Sequence, residues 1–211
     1  MDDRSHERER MVERQLVRRG IRDERVLAAM AQVPRERFVP PDLADEAYWD
    51  GALPISLGQT ISQPYIVAKM AELLELGPDD VVLDVGTGCG YAAAVVSRIV
   101  RRVWSIERIE ALARPARYRL SALGYDNVTV CVGDGTHGWP EHGPYDAIQV
   151  AAAASRIPAA LKEQLVVDGR LLLPAGRRSS QRLLLVRRTS QTKWVEEPLE
   201  RVRFVPLVDS A

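Results

Sequence analysis

Lysine is scarce. Only Lys69, Lys162 and Lys193 carry it, although the chain holds 29 basic residues; arginine supplies the rest, which reads as compositional bias. Neither sign of charge is in excess: Lys+Arg and Asp+Glu both number 29 over 211 residues, so the formal net charge is zero. That argues against a partner held mainly through phosphate charge, because nucleic-acid binders carry a basic excess or stripe. Cysteine is limited to Cys89 and Cys131, both inside apolar segments and too few for a disulfide framework or a four-cysteine metal site. The three histidines, His6, His137 and His142, form no HExxH pair. No apolar run approaches the ~20 residues that cross a bilayer, and the charged opening MDDRSHERER has no apolar signal region. No internal repeat and no low-complexity linker is visible. The expectation from these absences is a soluble cytoplasmic protein without nucleic-acid or membrane partner, with a monomer as the default state.

What is present fits one folded domain of ordinary core size: 46% hydrophobic and 27% charged residues. Residues 5–19 form an amphipathic pattern that ends near Gly20, and Asp23 is placed to cap a short helix over 23–31. From Val33 to Ile61 prolines and glycines impose a loop-like reading. Pro64 then opens a helix that ends at Gly77-Pro78. After it the rhythm changes to strand (80–86), helix (91–100), strand (102–109), helix (110–124, bent at Pro115), strand (128–134), strand (within 145–154) and helix (157–165). Strands over 169–176, 181–189 and 201–207 close the chain. Alternation from 80 to 165 predicts a parallel sheet with helices on both faces, and the short turns after 169 predict an antiparallel C-terminal pair. The expected fold is a doubly wound α/β domain: a mostly parallel, seven-stranded, Rossmann-like sheet. Residues 1–78 form an N-terminal helical and loop extension on the substrate side, and 79–211 form the α/β core.

The most informative stretch is VVLDVGTGCGY (81–91). A buried strand runs into Gly86, Gly88 and Gly90, and a helix begins at once, so a ligand can meet bare backbone at a helix start. The dinucleotide pattern GxGxxG fails because its sixth position is Tyr91, and no GK[ST] follows to make a P-loop. An acid, Asp84, two residues before GxGxG resembles instead the S-adenosylmethionine-dependent methyltransferases. Glu107 closes the second strand, where a carboxylate can accept from both ribose hydroxyls. Asp134, in VGDG, closes the third, where a carboxylate can accept from the adenine amino group; a plain Asp-Gly turn is the alternative there.

The methyl acceptor must be read from outside this core, and the candidate is GQTISQPYIVA (58–68). Ser62 stands close enough to Pro64 to cap the helix, and capping is one reading of it. The other comes from resemblance. The stretches RVLAAMAQVPRERFVP, AYWDGALPISLGQTISQPYIVAKM, VLDVGTGCGYAAAV, SIERI, GDGTHGW, PYDAIQVAAAASRIP and VRFVPL resemble the protein-L-isoaspartate (D-aspartate) O-methyltransferases over nearly the whole chain. GQTIS before a proline-started helix is the most specific piece. One departure is Gly143, where the family has Ala or Ser before the Pro of its PYD segment.

The resemblance implies methyl transfer from S-adenosylmethionine, leaving S-adenosylhomocysteine, to the free α-carboxylate of L-isoaspartyl residues or the β-carboxylate of D-aspartyl residues in damaged proteins and peptides. It implies Ser62 as the active-site residue. The implied cofactor contacts are Thr60, Ile61, Asp84, Gly86, Thr87, Gly88, Gly90, Glu107, Asp134 and Gly135, with no metal. A carboxylate of pKa about 4 is already ionised at neutral pH, so no general base is needed. The sulfonium charge disappears in the reaction. Asp84 is therefore read as serving the cofactor's ammonium or the loop geometry, not the methyl group. An open groove roofed by residues 50–63 and by VRFVPL would suit a substrate read as a backbone kink. Three alternatives stay open from the residues: a relative dedicated to one aspartyl peptide, a non-catalytic S-adenosylmethionine-binding protein, and a dehydrogenase, which Tyr91 disfavours.

Overall fold

The computed structural model describes residues 4–177 and 179–208. Helix α1 (Ser5–Met11) continues through wider and then tighter turns to Arg19 and stops at Gly20, which adopts φ 95°. Glycine tolerates that left-handed conformation at no steric cost. Helix α2 (Glu24–Gln32) starts at Asp23, whose carboxylate accepts the backbone N–H groups of Arg25 and Val26. The proline-rich stretch that follows contains short 3-10 turns and a small antiparallel pair, β1 (Leu53–Pro54) with β2 (Thr60–Ile61). Helix α3 (Pro64–Leu73) begins at its proline.

The core is a seven-stranded sheet. Strands β3 (Val81–Val85), β4 (Arg102–Glu107), β5 (Val128–Val132), β6 (Tyr145–Val150) and β7 (Leu165–Arg177) pair in parallel in the order β5-β4-β3-β6-β7. Strands β8 (Ser180–Ser190) and β9 (Lys193–Val202) complete it by antiparallel pairing. Helices α4 (Tyr91–Ser97), α5 (Glu110–Ala122) and α6 (Ala159–Glu163) make the crossovers. Side chains alternate between the two faces of the parallel strands. Val82, Val103 and Ala147 join one apolar cluster with α2, α3 and α4, while Leu83, Ile106 and Ile148 join the cluster of the opposite face with Leu161 of α6. The N-terminal segment is part of the first cluster: Met11, Leu16, Met30 and Phe38 are all buried in it.

Two expectations about elements are corrected. The last strand is Lys193–Val202, not 201–207: it is an edge strand bonded on one side only, so most of its side chains face water and its apolar signal is weak. Residues 203–208 lie beyond the strand and carry an isolated bridge, Pro206 to Ala153. Leu165 belongs to β7, not to α6, while helix α5 includes Pro115 within its span. The chain order reverses between β3 and β6, which places a crevice at the carboxyl ends of these strands.

Candidate active site

A cavity of about 580 Å³ occupies that crevice, within the range of small-molecule sites. Its floor is the strand ends: Val85 and Gly86 after β3, Ile106 and Glu107 of β4, Gly135 beyond β5, Ala151 and Ala152 beyond β6. Residues 59–63 form one wall and residues 201–208 another. The groove expected between residues 50–63 and the VRFVPL segment is therefore present.

The glycine turn presents backbone to this space. Gly86 and Gly88 line it with φ of 94° and 53°, and a Cβ on Gly86 would stand 3.5 Å from that of Ala151. Glu107 is 7% exposed. Its Oε2 accepts the Gly88 N–H at 2.8 Å and its Oε1 accepts the Ile109 N–H at 3.0 Å. Each oxygen keeps a further acceptor direction, so the carboxylate is both oriented and available. Gly135 fits against Val85, where any Cβ would collide with the Val85 side chain.

Behind the turn lies a polar rung that sequence reasoning missed. Asp84, Ser105 and Gln149 are register partners across β4-β3-β6. Asp84 accepts from Ser105 Oγ at 2.6 Å and from Gln149 Nε2 at 2.7 Å, and Thr87 Oγ1 lies 2.6 Å from Ser105 Oγ. Asp84 is fully buried, and burial pushes its carboxyl above the ordinary carboxylate value. The polar residues within VWSIE and AIQV were the available signal, but only the register shows that they share one row.

Three residues expected at the cofactor, Asp84, Gly90 and Asp134, are not among those that line the cavity. Asp84 supports the loop through Ser105 and Thr87. Gly90 (φ 92°) precedes α4 and packs against Leu120, 3.2 Å from where a Cβ would be. Asp134 accepts Thr136 N–H at 2.9 Å and Thr136 Oγ1 at 2.7 Å, closing its own turn. Thr60, Ile61, Ser62, Gly86, Thr87, Gly88, Glu107 and Gly135 all line the cavity. Tyr91, which breaks the dinucleotide pattern, is buried with its hydroxyl toward Met30 Sδ at 3.8 Å.

Ser62 lines the same cavity. Helix α3 carries no side-chain cap, and its N-cap position is Gln63, so the Ser62 hydroxyl is not used for capping. Its neighbours are clamped. Gln63 Nε2 donates to Asp50 Oδ1 at 2.7 Å, and Arg19 Nη1 donates to both Asp50 oxygens at 3.1 Å. The Arg19 guanidinium also covers the Tyr65 ring at 3.6 Å. The end of the N-terminal helical segment thereby fixes the residues on either side of Pro64, a function its charge pattern alone did not reveal. Cys89 lines the cavity but is buried, which pushes its thiol up; Cys131 is half-buried, with its thiol raised to about 11 for the same reason.

The protein-L-isoaspartate(D-aspartate) O-methyltransferase family model matches residues 6–211. The chain is 59% identical over 204 residues to protein-L-isoaspartate O-methyltransferase 2 of Pelobacter propionicus, covering 96% of this chain and 91% of that protein. A solved protein-L-isoaspartate O-methyltransferase superposes with a TM-score of 0.85 at 30% identity, covering 94% of this chain and 65% of that one. A solved Plasmodium falciparum structure, described as a family enzyme in complex with S-adenosyl-L-homocysteine, superposes with a TM-score of 0.82 at 26% identity, covering 96% of this chain and 99% of that one. The chain belongs to the protein-L-isoaspartate(D-aspartate) O-methyltransferase family.

Proposed function

We propose that the cavity binds S-adenosylmethionine along Gly86, Gly88 and Glu107, and that Ser62 orients the α-carboxylate of an L-isoaspartyl residue for methylation. The observation that carries this reading is the meeting of Ser62 with the glycine turn and Glu107 in one cavity. The residues fit the cofactor: bare backbone at two positive-φ glycines, and one deep carboxylate pre-oriented by two amide donors. When bound, S-adenosylmethionine supplies an electrophilic methyl group on a sulfonium.

The chain's own contribution is positional. The acceptor carboxylate is already ionised at neutral pH, so the site needs no base. Ser62 donates its hydroxyl proton to a hydrogen bond that fixes one carboxylate oxygen, while the walls at 59–63 and 201–208 limit water. Thr60 and Ile61 face the cofactor from the same wall as Ser62. Asp84 acts at a distance, holding Thr87 through Ser105. Substrates are isoaspartyl-containing proteins and peptides, and the methyl ester closes to a succinimide when the neighbouring backbone amide nitrogen attacks the ester carbonyl and methanol, carrying the amide proton, leaves. The test is transfer of labelled methyl from S-adenosylmethionine to an isoaspartyl peptide, with release of labelled methanol by mild base as the signature of an ester. Label that stays bound under base would contradict carboxyl methylation.

A further inference from the structure

Three arginines line the cavity, Arg108, Arg201 and Arg203, and all three are exposed. Among the described residues none of these side chains makes a hydrogen bond, an ion pair or a ring contact. Many other arginines do: Arg19 is held by Asp50, Arg170 by Asp80 and Arg187 by Glu75. The one carboxylate on the cavity wall, Glu107, is deep and taken up by backbone amides. Among the described residues that line the cavity, the exposed charges are therefore these three arginines, on a chain whose net charge is zero.

The backbone that carries two of these arginines is fixed. Gln181 accepts the Phe204 N–H at 2.6 Å and donates to the Phe204 carbonyl at 3.2 Å. Ala153 N–H donates to the Val205 carbonyl at 2.7 Å and its carbonyl accepts the Leu207 N–H at 2.8 Å. Arg201 is paired with Arg182 in the β8–β9 ladder. Positions two apart in extended chain share a face and are spaced about 7 Å along it, the same repeat as alternate residues of an extended peptide. Arg108 lines the same cavity, directly after Glu107 at the end of β4.

Resting on the proposed function, we propose that Arg201 and Arg203, together with Arg108, form a cationic collar that selects isoaspartyl sites flanked by acidic residues. Ser62 takes the reacting carboxylate deep in the cavity, and the collar reads the side chains on either side of it. A charge of one sign around a cleft raises the local concentration of ligands of the other sign, and salt screens it within about 10 Å. Exposed pairs are individually modest, each worth up to about fivefold, so several together set a preference, not an absolute requirement.

The experiment uses three isoaspartyl peptides that differ only in the two flanking positions: glutamate, glutamine or lysine. Methylation is followed as kcat/KM for the wild type, the Arg201→Gln/Arg203→Gln pair and the Arg201→Glu/Arg203→Glu pair, with S-adenosylhomocysteine binding as the control for folding. The wild type is expected to favour the acidic over the neutral peptide by about fivefold at low salt, a ratio that falls toward one as screening shortens to a few ångströms. The glutamine pair, which keeps only Arg108, is expected to bring the ratio close to one and the glutamate pair to invert it toward the lysine peptide. A wild type without preference, a ratio that survives the glutamine pair, or an equal loss on all three peptides would overturn the collar. Failure of the wild type to methylate any of the three, with S-adenosylhomocysteine still bound, removes the functional reading itself.

Discussion

Asp84 and Ser105 face each other across the parallel β3–β4 ladder, and Ser105 Oγ donates to Asp84 Oδ2 at 2.6 Å beneath the glycine turn. Gln149 completes the row from β6. A buried carboxylate here therefore serves loop geometry through partners on both neighbouring strands.

The first prediction concerns that row and pH. Burial holds the Asp84 carboxyl above its ordinary value, against the pull of Ser105 and Gln149, and the charge of Glu107 adds to the rise. A carboxyl whose folded value exceeds its unfolded one binds its proton more tightly in the native state. The stability it contributes is complete below the unfolded value, about 3.9, and is lost as pH rises through the folded one. Asp84→Asn removes that dependence. Wild-type minus variant stability, from urea unfolding at stepped pH, is expected to shrink from about pH 4 upward; a difference that grows with pH would contradict the assignment. Asp84→Ala is expected to cost about 2–4 kcal/mol, since it strips the Gln149 amide and Ser105 hydroxyl of their acceptor.

The second prediction isolates Glu107. Replacement by Gln keeps an acceptor for one backbone amide, whereas Ala loses both. Glu107→Ala is expected to weaken S-adenosylhomocysteine binding by about 1–3 kcal/mol, with Glu107→Gln in between. Calorimetry checks it, and unchanged affinity in both variants would sink the role.

How much of this was legible in the sequence depends on whether the signal is local. Gly86 and Gly88 after a buried strand, Asp23 as a cap and Pro64 as a helix start all act within a few residues, and each stands where local chemistry put it. The polar rung did not announce itself, because Ser105 and Gln149 meet Asp84 only through strand register. Asp134 shows its local part, one carboxylate oxygen accepting from Thr136 within its own turn. Strand β9 was hidden by its charge, and the clamp of Arg19 on Asp50 joins residues far apart in the chain.

Ser62 gives the third prediction. Because its hydroxyl caps nothing, Ser62→Ala is expected to leave stability within about 0.5 kcal/mol. Turnover is expected to fall tenfold or more, since one positioned hydrogen bond of about 1.4 kcal/mol is a factor of ten in rate. Ser62→Thr keeps the hydroxyl but adds a methyl group where the acceptor approaches, and slow turnover is expected. Full activity of Ser62→Ala at matched folded fraction would refute the positioning role.

The thiols supply the fourth. Burial raises both, Cys131 to about 11, so little thiolate exists at neutral pH. Cys89→Ser and Cys131→Ala are expected to retain turnover, measured per folded molecule. Loss of methyl transfer in a folded, cofactor-binding variant would show that a thiol takes part.

The central claim, that this cavity methylates the displaced backbone carboxylate of an isoaspartyl residue, is tested most directly with one peptide made in two forms. The forms share a sequence and differ only in whether the chain runs through the β- or the α-carboxyl of a single aspartate. With labelled S-adenosylmethionine at saturation, label is expected in the isoaspartyl form and, by comparison, almost none in the normal aspartyl form. Equal labelling of the two, or labelling of the aspartyl form alone, would contradict it.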